Sequence, residues 1–523
     1  MSTCSSDSDA SPDPLRRSTS PTPFSLPFSL DITHLVTSND TPLDSEDVAI
    51  RSTISTLRER LELPSGLIGD LDKASRSTDP SIIRHLISKR LAVVSPFRRI
   101  PADIIYEIFI EVYNSTEFNG PPHPLWHLGH ICRFWRAVAI SCPHLWNCIN
   151  VEIIDPSADA LDRLNPLSKI EIQYSRSANL PIKMALTSWP LLKDVDSAWL
   201  TGFFSGSDRW SSLRVRCSST AFEALRPLHG RLPLLRRLEV LAFEYNRAPQ
   251  ALADIFAVAP QLTEVILTDE NCEMLSPQIT LPWRQLTVYR GMYDFSDQLE
   301  LLQALPNATD CTLGFSSAVT APLTSGKVTR RWHRLHLSSP RYFLTWLTAP
   351  ALEELHLRGE VSAPSLYSFF PRSACQLTAL VWDRVLFYHS PGEQLGDVPP
   401  PAFLRTLPCL RRLVIRPRPQ HEDDPPLERH ALFDALAACG PGTDADAELC
   451  PALVELACDD AYVVTNAVLV SKLLGMVEAR LRNTRLVSFR LALGGRTAPP
   501  SLAARVERLA HGGRDVALVL KLK

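Results

Sequence analysis

The chain is predicted to be an α/β multidomain protein, with a small all-α module preceded by short helices and followed by a long, irregular α/β solenoid. Three observations predict this. Apolar residues recur at helical spacing through the first part of the chain. In the second part they change to the alternation of short strands, returning at near-regular intervals. The chain has 523 residues, 45% apolar and 21% charged, which exceeds one ordinary domain and is too apolar for a disordered polymer.

Residues 1–44 are rich in Ser, Thr, Pro and Asp and short of packable apolar side chains. Such a segment does not offset its ordering entropy, and a disordered tail is expected. Ser11-Pro12, Ser20-Pro21, Thr22-Pro23 and Thr41-Pro42 have the dipeptide form of proline-directed phosphorylation sites. Residues 45–95 are predicted to be a helical lead. Ile50, Ile54, Leu57 and Leu61 alternate spacings of four and three behind Glu46 and Asp47, and Pro64, Ser65 and Gly66 end the run. A second run carries Ile83, Leu86, Ile87, Leu91 and Val94, with Asp79 as a cap and Pro80 behind it. The seam spans hardly more than two heptads, so these helices are expected to pack on each other or on the next module rather than dimerise.

Residues 96–151 organise the rest. Pro101 and Asp103 suit a helix start, and Ile104, Ile105, Ile108, Phe109 and Val112 follow at helical spacing. Asn119, Gly120, Pro121 and Pro122 impose a loop. Leu128, Ile131, Cys132, Trp135, Val138 and Ala139 then form a second stripe that Pro143 closes. A unit this small carries more apolar and aromatic residues than it can bury alone, which implies a partner surface.

From 152 to 523 the chain repeats a unit of the form Pro-x-Leu-x-x-Leu-x-Leu. Its clearest copies are Pro233, Leu235, Leu238, Val240; Pro260, Leu262, Val265, Leu267; Pro350, Leu352, Leu355, Leu357; and Pro408, Leu410, Leu413, Ile415. Weaker copies start at Pro190, Trp210, Pro282, Pro306, Trp332, Leu377 and Pro451, mostly about 18 to 27 residues apart. Each copy is a short strand, with helical fragments such as 248–259 and 299–305 between copies. One strand and one return cannot bury an apolar face, whereas stacked neighbours share a continuous core. The Pro-rich and Gly-rich stretches near 417–450 are expected to be surface insertions, and the alternating segments 486–493 and 516–522 to cap the array.

The chemistry of catalysis is not visible. There is no GxGxxG, P-loop, GxSxG or HExxH, so no catalytic residue is assigned. His123, His127, His130 and Cys132 have a ligand-like spacing, but Cys132 already belongs to an apolar stripe, and no metal or cofactor is expected. A net charge of -3 and scattered Arg-Arg pairs argue against nucleic-acid or membrane partners. Twelve cysteines without a CxxC, and no leader or long apolar run, point to the cytoplasm and/or nucleus. Lysine is scarce, Arg supplying most of the 54 basic residues.

The succession Ile100-Pro101, Ile104-Ile105, Ile108-Phe109, Ile131-Cys132, Trp135, Val138-Ala139, Pro143, Leu145-Trp146 and Ile149 resembles an F-box, the helical module by which substrate receptors of cullin-RING ubiquitin ligases dock onto a Skp-type adaptor. Ile100 stands where Leu is usual, Arg133 where Lys is usual, and the loop between the helices is long. The form PFRRIPADII behind a helical run is similar to the F-box proteins abundant in mushroom-forming fungi. The repeats resemble the irregular leucine-rich repeats that follow many F-boxes, although the Asn or Cys expected after each strand is mostly missing.

The resemblance implies that Ile100, Pro101, Ile104, Ile105, Ile108 and Phe109 face the adaptor, with Ile131, Cys132, Trp135 and Trp146 forming or bracing that surface. It also implies a non-catalytic subunit, monomeric within a hetero-complex, that reaches a cullin through the adaptor and holds an unknown protein substrate. Outward positions of the repeats, among them Arg236, Arg237, Glu264, Glu354, Arg411 and Arg412, are the candidate substrate contacts. A repeat scaffold for protein–protein interaction outside any ligase is the other reading. Lysine scarcity would leave such a receptor few sites for modifying itself.

Overall fold

The computed structural model describes residues 31–38, 40–62, 80–115, 125–153, 167–188, 197–217, 219–242, 254–269, 280–293, 301–315, 328–389, 394–418, 427–439, 448–459, 466–493, 500–510 and 515–519. They fall into two units. One runs to Leu145 and is helical; the other holds Trp146 onward and carries the strands. No helix among the described residues is long and apolar enough to cross a membrane.

The helical unit comprises α1 (Thr33–Thr37), α2 (Asp44–Glu62), α3 (Pro80–Val93), α4 (Ala102–Ser115), α5 (Leu125–Leu128) and α6 (Arg133–Ile140). Asp44, Glu46 and Asp47 open α2, where carboxylates suit the positive end of the helix dipole, and Glu46 Oε2 accepts from Leu43 N–H at 2.8 Å. The predicted seam is real: Ile50, Ile54 and Leu57 of α2 pack with Ile83, Ile87, Val93 and Val94. The expected disordered tail is corrected at its end. Residues 31–38 are ordered, and Ile32, just before α1, and Leu35 within it join that core. The first 30 residues lie outside the described ones.

In the second unit the strands are β1 (Cys148–Ile153), β2 (Ile182–Ser188), β3 (Trp210–Cys217), β4 (Arg237–Ala242), β5 (Glu264–Asp269), β6 (Val288–Tyr293), β7 (Asp310–Phe315), β8 (Val328–Thr329), β9 (Arg334–Ser338), β10 (Leu347–Thr348), β11 (Glu354–Ser362), β12 (Ala379–Tyr388), β13 (Gln394–Gly396), β14 (Arg412–Arg416), β15 (Glu455–Asp459), β16 (Ser488–Ala492) and β17 (Asp515–Val519). Among the described residues, 15 strands make one open sheet. Its path from β1 to β17 follows chain order and is parallel throughout; β13 pairs antiparallel with β12, while β8 and β10 pair apart.

Register is set at the strand entrances. The Arg236 carbonyl accepts from both the Thr263 and Glu264 N–H, the Thr263 carbonyl from Thr287 and Val288, and the Thr287 carbonyl from Thr309 and Asp310. The same doubled bond recurs at Thr309, His333, Glu353, Thr378, Arg411 and Val454. With each strand entering at the same height, residues two apart align in columns. Leu213, Leu238 and Val265 stack in one buried column, and Leu335, Leu355, Leu380 and Leu413 continue it. Each fully buried Leu contributes about 1.5–3 kcal/mol over an exposed one, so the columns dominate the energetics.

Guanidinium groups hold the returns between strands. Arg209 reaches the Tyr174, Ser177 and Leu180 carbonyls, and Arg372 reaches those of Leu344 and Leu347. The fully buried Arg480 donates to the carbonyls of Leu436, Leu449 and Cys450. One planar fork satisfies several carbonyls at the end of a turn, a task for which lysine lacks the geometry.

Several expectations change. The stretch 148–151 is not the end of the helical module but the first strand, and β2 had no predicted counterpart; both carry the alternation, in Ile149 and Val151 and in Ile182, Met184 and Leu186. The copy that starts at Pro282 predicts Leu286 and Val288 inward, but in β6 the inward residue is Tyr289 and Val288 lies on the other face. Residues 254–259 are a turn rather than a helix, although Ile255 and Phe256 are buried there. The region 417–450 is not wholly a surface insertion. It includes the helix Leu427–Ala437, which buries Leu432, Phe433 and Leu436 in the main core; 419–426 and 440–447 lie outside the described residues.

Candidate functional site

Pro101 precedes α4 and its carbonyl accepts the Ile105 N–H at 3.1 Å, so the helix starts where its fixed φ allows. The apolar residues of α4 divide between two faces. Ile105 and Phe109, four apart, are fully buried, and Phe109 meets Trp135 of α6 edge to face. Cys132 is the N-cap of α6: its Sγ accepts the Trp135 N–H at 3.4 Å, which fixes the helix that carries the indole.

The other face is uncovered. Ile104 is 48% exposed and Ile108 37%, again four apart, and Pro101 and Ile131 are exposed with them. Phe97, which the spacing analysis passed over, is 60% exposed and lies 6.4 Å from the Trp135 ring. It falls inside the PFRRIP run, ahead of any periodic stripe, so periodicity gave no signal for it.

The candidate adaptor residues therefore separate. Pro101, Ile104, Ile108 and Ile131 are exposed; Ile100 and Cys132 are half-buried; Ile105, Phe109 and Trp135 are internal packing. The assignment of Ile105 and Phe109 to the outer face is thus corrected, because each follows an exposed isoleucine by one residue, about 100° further round the helix, and there meets the unit's own core. Trp146 is corrected as well. It belongs to the second unit, buried there with the Arg176 guanidinium 4.4 Å above its ring.

The start of the module is tied to the segment before it. Arg98 Nη1 donates to the Leu35 carbonyl at 2.6 Å, Arg133 Nη1 to the Thr37 carbonyl at 3.1 Å, and the Thr41 hydroxyl to the Arg98 carbonyl at 3.1 Å. Burial lowers the Arg98 pKa from the ordinary arginine value. Arg133 thus has a structural partner at the C-terminal end of α1. Of the spaced histidines, His127 and His130 are exposed or at a turn, and His123 lies outside the described residues.

The sheet presents its second candidate surface on the face opposite the core. Arg237, Glu264, Glu354 and Arg412 stand on that face in one column. Arg236 and Arg411 do not: they sit just before their strands, where their carbonyls take the doubled entrance bonds and their side chains lie out of the column. The column is largely neutralised. Arg237 pairs with Glu264 at 2.8 Å, Arg334 with Glu354 at 3.5 Å, and Arg412 with Glu455 at 3.3 Å. Arg412 also lies 4.0 Å from Glu354 across the small Ala379 between them.

The middle column of the same face runs Arg290, Thr312, His336, His356, Val381. The His336 and His356 rings are 4.5 Å apart, edge to face. Burial, then the neighbouring His336, push His356 down to about 4; burial also lowers His336. These two residues were not among the predicted contacts, since a lone His in a strand gives no sign of a second one a repeat away.

A scan against models of known protein families finds none that matches the chain, and a search of curated proteins finds no similar sequence.

Proposed function

We propose that this chain is the substrate-recognition subunit of a Skp–cullin–F-box ubiquitin ligase, with an F-box in residues 96–145 and a leucine-rich-repeat-like solenoid presenting a protein substrate. The observation that carries the reading is the divided helix α4. Its buried half, Ile105 and Phe109, completes the helical unit's own packing, which leaves Ile104 and Ile108 with Pro101 as an apolar surface without a fold-stabilising task. An amphipathic helix with anchors at such spacing docks into a partner's groove. The parallel array adds the second requirement, an extended face bearing mixed charge. The chain itself performs no bond chemistry in this reading. It raises the effective concentration of a target lysine near the charged conjugating enzyme.

The test is capture of a purified Skp-type adaptor by the full chain and by its Ile104→Ala/Ile108→Ala variant. Loss of two central apolar anchors should weaken binding at least thirtyfold, about 2 kcal/mol or more, with an unchanged melting profile. Undiminished capture by the folded variant, or no capture by the wild type, would sink the F-box assignment and leave a repeat scaffold.

A further inference from the structure

On the sheet face opposite the core, most cations are answered by a carboxylate one or two strands away: Arg214 by Glu239, Arg237 by Glu264, Arg334 by Glu354, Arg416 by Asp459. The row in the middle of the face departs from this. The Arg290 side chain is exposed, and its guanidinium makes no hydrogen bond or ion pair among the described residues. In register beside it come Thr312, His336 and His356, so one cation and three further polar side chains lie in line across four strands, His356 Nε2 lying 3.6 Å from Asp383 Oδ2. Next to the row, Met292 folds over Gly314, which has no side chain to hold it off, and Met292 itself is part-exposed.

We propose that the row Arg290, Thr312, His336, His356 is an anion subsite that binds a carboxylate-bearing, Asp- or Glu-rich stretch of a protein ligand. This rests on the reading of the array as a ligand-presenting face. Charge complementarity selects the occupant. A polar row with a free guanidinium calls for an anion, and Met292 offers an adjoining apolar contact for the ligand's aliphatic groups. The surrounding carboxylates Asp310, Glu354 and Asp383 confine the favourable field to the row itself, so a short acidic stretch fits better than a long polyanion such as a nucleic acid.

The histidines make the binding pH-dependent. Facing them are Asp310, Glu354 and Asp383, with Arg290, Arg334, Arg358 and Arg416 as the cations. In the free protein burial lowers both His336 and His356, the neighbouring His336 lowers His356 further, and His356 is neutral at neutral pH. A bound carboxylate favours their protonated forms, so by linkage it binds more tightly as pH falls.

The probe is a short fluorescent oligoglutamate, with oligoglutamine of the same length as control, titrated by anisotropy into the full chain at low ionic strength. Oligoglutamate should bind and oligoglutamine should not. Arg290→Gln should weaken binding about tenfold without changing the melting temperature, and Arg290→Glu should abolish it. Affinity should rise as pH is lowered from neutrality, and His336→Gln/His356→Gln should flatten that rise. Equal binding of both peptides, or a folded Arg290→Gln that binds as well as wild type, would overturn the subsite. So would a requirement for phosphoserine in place of glutamate, or tighter Arg290-dependent binding of a DNA oligonucleotide. Adaptor capture separates this from the F-box reading: Arg290→Gln should retain it, and Ile104→Ala/Ile108→Ala should retain oligoglutamate binding.

Discussion

Phe109 and Trp135 meet with ring centroids 5.3 Å apart and planes inclined at 69°, joining α4 to α6. One residue earlier on the same helix, Ile108 is exposed. Phe109→Ala should therefore behave unlike Ile108→Ala. Removing a fully buried ring costs about 3–5 kcal/mol, enough to melt the helical unit and lose adaptor capture with it. The Ile108 change should reduce capture alone. Circular dichroism melts beside the capture assay distinguish the two, and a stable Phe109→Ala protein would contradict the packing described.

Arg480 is buried and bound to three carbonyls from two segments. Arg480→Ala leaves those acceptors without donors in the core, and a loss on the order of 3 kcal/mol or more is expected. Arg480→Lys should recover less than half, because an ammonium cannot reach three acceptors in a plane. Urea denaturation of the three proteins checks this. Equal stability of the Lys variant and wild type would mean that charge, not fork geometry, is what the site requires.

His356 has a folded pKa of about 4 against an ordinary 6.5. Between those values the unfolded chain holds a proton that the folded chain does not, so stability rises with pH. The contribution is present in full above 6.5 and is lost as pH falls towards 4. Its size is on the order of 1–2 kcal/mol once solvent screening of a part-exposed ring is allowed for. His356→Gln should reduce the fall in melting temperature over that window; an identical pH profile would refute the assignment.

Gly359 has φ +74°, at the point where the pairing of β11 with β12 shifts register. A Cβ there would lie 2.4 Å from Ser339 Oγ. Gly359→Ala should cost about 1–3 kcal/mol, combining left-handed backbone with a clash. Adding Ser339→Ala should remove the closest contact but neither the tight approach to the Ser339 backbone nor the left-handed φ, so the double variant should recover only part of the loss in thermal melts.

Much of the array was legible in its residues. The alternation at Leu238 and Val240, Val265 and Leu267, Leu355 and Leu357, and Leu413 and Ile415 became inward columns of strands, as the spacing requires. The seam of α2 and α3 was legible too, from Ile50, Ile54 and Leu57 against Ile83 and Ile87. What failed was less periodic. Ile32 and Leu35 were passed over because their neighbours are those of a tail, and β1 because it follows directly on helical sequence. The helix Leu427–Ala437 was hidden by the prolines ahead of it.

Residue order alone established most of the strands of the array, the helices of the first unit and the passage from a small apolar module to repeats, because periodicity belongs to neighbours along the chain. It did not establish which half of the α4 stripe is covered, or which outward charges cancel. Ile104 and Ile105 are equally apolar, and it is the packing of α4 against its neighbours, α6 and the turn Pro143–Leu145, that buries one side. Arg237 and Glu264 are partners because the doubled bonds at the Arg236 carbonyl set the two strands in register. Arg290 stays open because register brings Thr312, not a carboxylate, beside it. Pairing between repeats depends on distance through space, and that is decided only when the strands are stacked.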